Sequence, residues 1–134
     1  MKVRRSETFT VATADDVVRA RQKVRSWATD LGFSLVDQTK LVTAASELAR
    51  NMQVYGGGGE LVLEIIDSGS RLGLKMVFED SGPGIADLER ALTDGYSTGD
   101  GLGLGLGGAR RLLNEFEIAS KLGEGTRVTG IKWK

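Results

Sequence analysis

Between residues 101 and 108 the chain reads Gly-Leu-Gly-Leu-Gly-Leu-Gly-Gly. Glycine this dense is a poor interior for a strand or a helix, because each residue loses the most backbone freedom on ordering and offers no side chain to pack. The segment therefore reads as a loop running into a helix, the kind of backbone whose amide groups close around phosphates. Gly103-x-Gly105-x-x-Gly108 also matches the dinucleotide-binding fingerprint letter for letter. That motif requires a preceding strand and an acidic residue ~20 positions on, within a parallel β-α-β unit. Here Gly95 to Asp100 has loop composition, and the helix leads only to a short strand and a glycine turn. A phosphate-covering lid is the better account, with glycines that serve flexibility alone as the plainer one.

The rest of the chain divides into alternating patterns. Thr8 and Thr10 alternate with Phe9 and Val11 in a short strand over 7–12, and Thr13 with Asp15 and Asp16 starts a helix that Gly32 ends after Leu31. Its apolar stripe is Val17, Ala20, Val24, Trp27 and Leu31. Ser34, with Asp37 three residues later, caps a second helix whose stripe is Leu41, Ala45, Leu48, Met52 and Tyr55, stopped by four glycines at 56–59. Strands over 60–67 and 71–79 form a hairpin through Ser68-Gly69-Ser70. A short helix over 87–92, a loop over 94–103, a helix over 107–116 and strands over 117–121 and 126–133 complete the chain. This order predicts an α/β (α+β) two-layer sandwich, a mixed sheet with helices on one face, in one domain over 1–134.

Composition narrows the chemistry. Eighteen basic residues balance eighteen acidic ones, which leaves no overall field for nucleic acid or an anionic membrane. Lys2, Arg4 and Arg5 read as a solvated basic tail. No apolar run approaches the ~20 residues of a membrane span and no signal-peptide core is visible, so the expected location is cytoplasmic. The chain has no cysteine and no histidine, which removes thiolate chemistry, Ser-His-Asp catalysis, His-ligated zinc and a phosphohistidine carried on this chain. No Walker-type P-loop is present either.

Two further segments face phosphate chemistry. Glu47 and Asn51, four residues apart, stand ~6 Å from each other along one side of a helix. The Asn51 carboxamide is a hard oxygen ligand suited to Mg²⁺, and the Glu47 carboxylate could take a proton from an attacking hydroxyl. Alone, the pair reads first as an exposed helical Glu beside an unrelated Asn. Asp80-Ser81-Gly82-Pro83-Gly84 puts a carboxylate at a strand end before a tight turn. Such a carboxylate could accept the exocyclic amine of adenine, or it could simply close the turn through its own backbone.

In this order and spacing the segments resemble the Bergerat-fold ATPase/kinase superfamily, which includes gyrase, Hsp90, MutL and the histidine kinases. Glu47 to Asn51 is similar to its N box, Asp80 to Gly84 to its G1 box, Gly101 to Gly105 to its G2 lid, and Gly123-x-Gly125-Thr126 to its closing segment. The resemblance implies an ATP site with Mg²⁺: Glu47 as general base, Asn51 on the metal, and Asp80 on the adenine amine. Gly82, Gly84, Gly101, Gly103 and Gly105 would lie around the nucleotide, and Thr126 would help hold the base. The large extra domains of gyrase, Hsp90 and MutL do not fit here, and a histidine kinase needs its His. The chain thus resembles the small serine/threonine switch kinases of the RsbT type, down to the ending Lys132-Trp133. That branch implies STAS-domain substrates and direct activation of a PP2C-type phosphatase. The alternatives are an anti-sigma-factor kinase of the RsbW and SpoIIAB type, with a sigma factor as partner, and a non-catalytic ATP-gated adapter. One departure is the absence of lysine from Gly95 to Gly108, so phosphate contacts there rest on backbone amides. Arg50, Arg110 and Arg111 are candidates for stabilising the transferring phosphate, or else surface arginines.

Overall fold

The computed structural model describes residues 1–85 and 105–134. In chain order it contains β1 (Lys2–Val11), α1 (Ala14–Leu31), α2 (Leu35–Tyr55), β2 (Gly59–Asp67), β3 (Leu72–Asp80), α3 (Gly105–Leu112), β4 (Glu115–Lys121) and β5 (Gly125–Trp133). The helix over 87–92 and the loop over 94–103 expected from sequence, with Gly101 and Gly103, lie outside the described residues.

The five strands pair in the order β1-β2-β3-β5-β4. The two-layer architecture is as expected, but the mixed sheet is not: every pairing among the described strands is antiparallel. The reason is topological. The connection from β3 through α3 does return the chain in the direction of β3, as a β-α-β crossover would. β5 then inserts between β3 and β4, so the two parallel strands never touch.

Register assigns the two faces. Leu61, Leu63 and Ile65 of β2 stand opposite Phe78, Met76 and Leu74 of β3, and Phe78 stands opposite Val128 of β5. These residues form one core with Val24, Trp27 and Ala28 of α1 and Leu41, Ala45, Leu48 and Met52 of α2. Leu106 and Ala109 of α3 join the same cluster, and α3 packs on α2. Both long helices therefore cover one sheet face, as the 3.6-residue stripes required. Tyr55 departs from its predicted stripe and is 42% exposed, because the helix ends there and Gly56 turns the chain away.

The helix boundaries have local causes. Thr13 is extended (φ −122°, ψ 165°) and its hydroxyl accepts from the Asp16 N–H. Asp16 reaches back to the N–H groups of Thr13 and Ala12 at 3.2 and 3.0 Å, a capping box that satisfies donors otherwise lost at the helix start. Gly32, at φ +82°, closes the other end in the left-handed conformation. Ser34 caps α2 by accepting from the Asp37 N–H at 3.1 Å.

Several boundaries differ from the sequence reading, three of them with structural consequences. β1 begins at Lys2, so the basic start is strand and not tail: Arg4 forms two hydrogen bonds to Asp67, and Arg5 lies 4.0 Å over the Trp27 ring. The β2–β3 loop has four residues, since Asp67 pairs with Leu72. α3 starts two residues earlier than expected and stops at Leu112, where the predicted helix ran on to Phe116. Tertiary pairing takes over there, with the Asn114 N–H donating to the Ile131 carbonyl at 2.9 Å and the Asn114 Oδ1 accepting from the Trp133 N–H at 2.8 Å. Among the described residues no helix is long and apolar enough to cross a membrane.

The Asp16 carboxyl is held at about 2, below its ordinary 3.8, by the Ala12 N–H first and then the Arg19 guanidinium. A depressed acid stabilises the fold above the unfolded value and loses that contribution as pH falls through the folded one. The cap contribution should therefore be complete above pH 3.8 and disappear toward pH 2. Denaturant midpoints of wild type and Asp16→Asn measured from pH 6 down to 2 should converge at the acid end; a constant gap would exclude this source.

Candidate functional site

The candidate site lies where β3 ends. Asp80 and Thr126 are direct partners across β3 and β5, and Ser120 of β4 stands opposite Thr126. On the other side Asp80 pairs with Gly59, which pairs with Val11. These five positions form one transverse row on the helix-covered face, at the end of the sheet reached by the C-terminus of α2.

Asp80 carries two bonds on one oxygen. Its Oδ1 accepts the Gly82 N–H at 2.9 Å and the Thr126 N–H at 3.3 Å. The first closes the turn through the local backbone, the plainer of the two roles anticipated from sequence. The second ties the turn to β5. Oδ2 has no hydrogen-bond partner among the described residues and lies against Gly56: a Cβ built there would come within 2.5 Å of Oδ2. One oxygen thus holds the structure and the other is left as an acceptor, so both anticipated roles fit the same side chain.

Glycines let the backbones converge. A Cβ on Gly82 would lie 2.5 Å from the Gly56 carbonyl oxygen, and one on Gly59 2.2 Å from that of Glu79. Gly84, at φ +77°, leaves only 2.4 Å to the Lys121 carbonyl oxygen, and the neighbouring Pro83 carbonyl accepts the Gly123 N–H at 2.9 Å. The turn after Asp80 is therefore wedged between the end of α2 and the β4–β5 hairpin. Gly82 and Gly84, expected near a nucleotide, first serve this wedge.

Glu47 and Asn51 project from α2 one turn apart. Glu47 is 6% exposed, with no hydrogen-bond or ionic partner among the described residues. Asn51 is half-buried, and its carbonyl accepts the Gly56 N–H at 3.3 Å, so the same turn of helix bears the carboxamide and positions the glycine under Asp80. No group of three or more His, Cys, Asp or Glu able to hold a metal occurs among the described residues. Gly105 opens α3 at φ +58° and is buried. Arg110 and Arg111 lie in the last turn of that helix, the opposite end from Gly105, where cations favour the helix dipole.

Sequence reasoning passed over Gly56, Gly59 and Ser120. The run at 56–59 read as a helix stop, and nothing local reveals that Asp80 would pack against its first member. Ser120 carries no motif; only the strand register brings it beside Thr126.

Residues 36–134 match the family model of the histidine kinase-, DNA gyrase B- and HSP90-like ATPases. The chain belongs to this ATPase family. It is 47% identical over 123 residues to the serine/threonine-protein kinase RsbT of Bacillus subtilis (strain 168), covering 92% of each chain. Its enzyme class is accordingly that of an ATP-dependent serine/threonine protein kinase of the RsbT kind. Two solved structures share the fold. One holds the RsbU and RsbW domains of Rv1364c from Mycobacterium tuberculosis, with TM-score 0.66, 20% identity, and 97% of this chain but 33% of that one covered. The other is the mycobacterial sensor histidine kinase MprB, with TM-score 0.57, 21% identity, and 96% and 97% covered.

The wedge predicts a contrast between two glycines of one hairpin. Gly123 and Gly125 both have positive φ, but a Cβ at 123 meets nothing within 4 Å whereas one at 125 lies 2.0 Å from the Asp80 carbonyl oxygen. Gly123→Ala should cost only the backbone strain, about 1–2 kcal/mol, and Gly125→Ala distinctly more. Equal losses in urea unfolding would show that the close approach is not required.

Proposed function

We propose that this protein binds ATP with Mg²⁺ at the Asp80 end of the sheet and transfers the γ-phosphoryl group to a serine or threonine of a STAS-domain partner. When not engaged by that partner, it activates a PP2C-type phosphatase by direct binding. The Ser/Thr-kinase relative and the ATPase family support ATP as donor. The STAS and phosphatase partners rest on the RsbT-type resemblance.

The observation that carries the reading is Glu47. The residue is 6% exposed, yet Trp27 Nε1 is the only buried side-chain polar atom without a partner among the described residues. The unpaired carboxylate therefore keeps contact with solvent, and a module that only binds nucleotide has no use for a carboxylate held there. In a kinase it takes the proton of the attacking hydroxyl as that oxygen bonds to the γ-phosphorus and the bond to the β–γ bridging oxygen breaks, releasing ADP. Asp80 Oδ2 accepts the adenine amine, and Thr126 holds the base beside it. Gly82 and Gly84 shape the adenine edge. Gly105, with Gly101 and Gly103 before it, offers backbone amides to the phosphates, a role suited to a stretch without lysine.

The donor set fits one magnesium ion. Asn51 supplies a single half-exposed amide oxygen, and an ion with this few protein ligands takes the rest from phosphates and water. When bound, it neutralises charge on the transferring phosphate.

Two substitutions separate chemistry from binding. Glu47→Gln should reduce transfer from γ-labelled ATP to a STAS-domain partner by ~100-fold or more while ATP affinity stays within about twofold. Asp80→Asn should weaken ATP binding by about ten- to a hundredfold, the worth of a hydrogen bond to a charged group. Phosphoserine or phosphothreonine lost only in the first variant at saturating ATP supports the kinase. Mg²⁺-dependent ATP binding by wild type with no labelled partner supports the adapter instead.

A further inference from the structure

Ser120 has no part in the mechanism above, yet its hydroxyl meets three groups at once. It accepts the Ile85 N–H at 2.7 Å, lies 3.2 Å from the Gly125 carbonyl oxygen, and lies 2.9 Å from the Thr126 hydroxyl. Each hydroxyl has one proton and two lone pairs, and this count constrains the arrangement. The Ile85 N–H takes one lone pair of Ser120. If the Ser120 proton went to Thr126, the Gly125 carbonyl would lose this donor. If it goes to Gly125, the Thr126 proton fills the second lone pair of Ser120, and all three contacts are hydrogen bonds together. Only the second arrangement makes all three contacts hydrogen bonds at once, and it spends the Thr126 proton inward.

We propose that Ser120 is a positioning residue that fixes Thr126 as a hydrogen-bond acceptor toward the ligand. Thr126 Oγ1 and Asp80 Oδ2 are then two acceptors on directly paired residues of adjacent strands. Such a pair recognises a group that brings two N–H donors, an exocyclic amine on a purine, and rejects a purine without one. This inference rests on the adenine-side reading of Asp80 and adds how selectivity is set. It also gives the β4 strand a role in the site although β4 touches none of the three motifs in sequence.

The test compares equilibrium binding of ATP with that of purine riboside triphosphate, which lacks only the 6-amine. Ser120→Ala frees the Thr126 proton, and the preference for ATP should shrink by about three- to tenfold, the worth of one net hydrogen bond. Ser120→Thr, which keeps a hydroxyl, should restore it. In a Thr126→Val background, Ser120→Ala should change the preference no further, a non-additivity that general destabilisation does not produce. Should Ser120→Ala fail to fold, Ser120→Cys, with its weaker donor and acceptor, should give a smaller shift of the same sign. An unchanged preference in the folded variant, or an equal change in both backgrounds, overturns the proposal. Asp80→Asn measured alongside separates the two failures. If it leaves ATP affinity intact, the adenine reading falls and takes this one with it; if it weakens ATP while Ser120→Ala leaves the preference unchanged, only the role of Ser120 falls.

Discussion

A single carboxylate oxygen joins three pieces of this molecule. Asp80 Oδ1 accepts from Gly82 and from Thr126, so the turn after β3 and the start of β5 are fixed to the same atom. Two bonds to a charged acceptor are each stronger than neutral ones, and here they span 46 residues of sequence. Because the oxygen is committed on both sides, the carboxyl plane cannot swing, and Oδ2 is presented in one direction. The glycines follow from this. At Gly56, Gly59 and Gly125 any side chain would strike Asp80 or the backbone flanking it, and at Gly82 it would strike Gly56, so these glycines are consequences of how close the strands and the end of α2 must come.

α2 serves core and site with the same residues. Leu41, Ala45, Leu48 and Met52 build the apolar layer, and that stripe brings Glu47 and Asn51 to its border. The helix cannot rotate to expose Glu47 without withdrawing Leu48 and Met52 from the sheet. The core thereby fixes the Glu47 carboxylate at the border of the apolar layer. The Met52 carbonyl accepts N–H groups from both Gly56 and Gly58, so the helix end and the glycine under Asp80 form one hydrogen-bonded unit.

What was legible in the sequence was mostly local. Thr13 with Asp16, Ser34 with Asp37, and Gly32 act within a few residues, and each has the effect its chemistry dictates. The alternation in 60–67 and 71–79 gave the hairpin because one face had to be dry. What stayed hidden depends on distant partners. Lys2 to Arg5 became strand through Asp67 and Trp27, which no pattern near the N-terminus reveals. The sheet order was hidden because a β-α-β connection fixes direction without saying whether another strand lies between. The motifs named Asp80 and Thr126, but not the row Val11, Gly59, Asp80, Thr126 and Ser120, since register alone brings Ser120 there.

Lys132 shows how α3 is held with respect to that row. It is 7% exposed, and its Nζ donates to the Leu112 carbonyl at 3.4 Å and lies 3.7 Å from Asp37. A lysine is seldom buried unless paired. Here it satisfies a carbonyl at the C-terminus of α3, where the helix dipole favours a cation, and it joins that end to the first turn of α2. The N-terminal half of α3 is held differently, by burial of Leu106 and Ala109 in the core. Fixed at both ends, the helix keeps the amides of its first turn in a constant relation to Glu47 and Asn51. Under the proposed phosphate role this constancy matters, since a backbone donor cannot reach for a phosphate as a long side chain can and has to be in place beforehand.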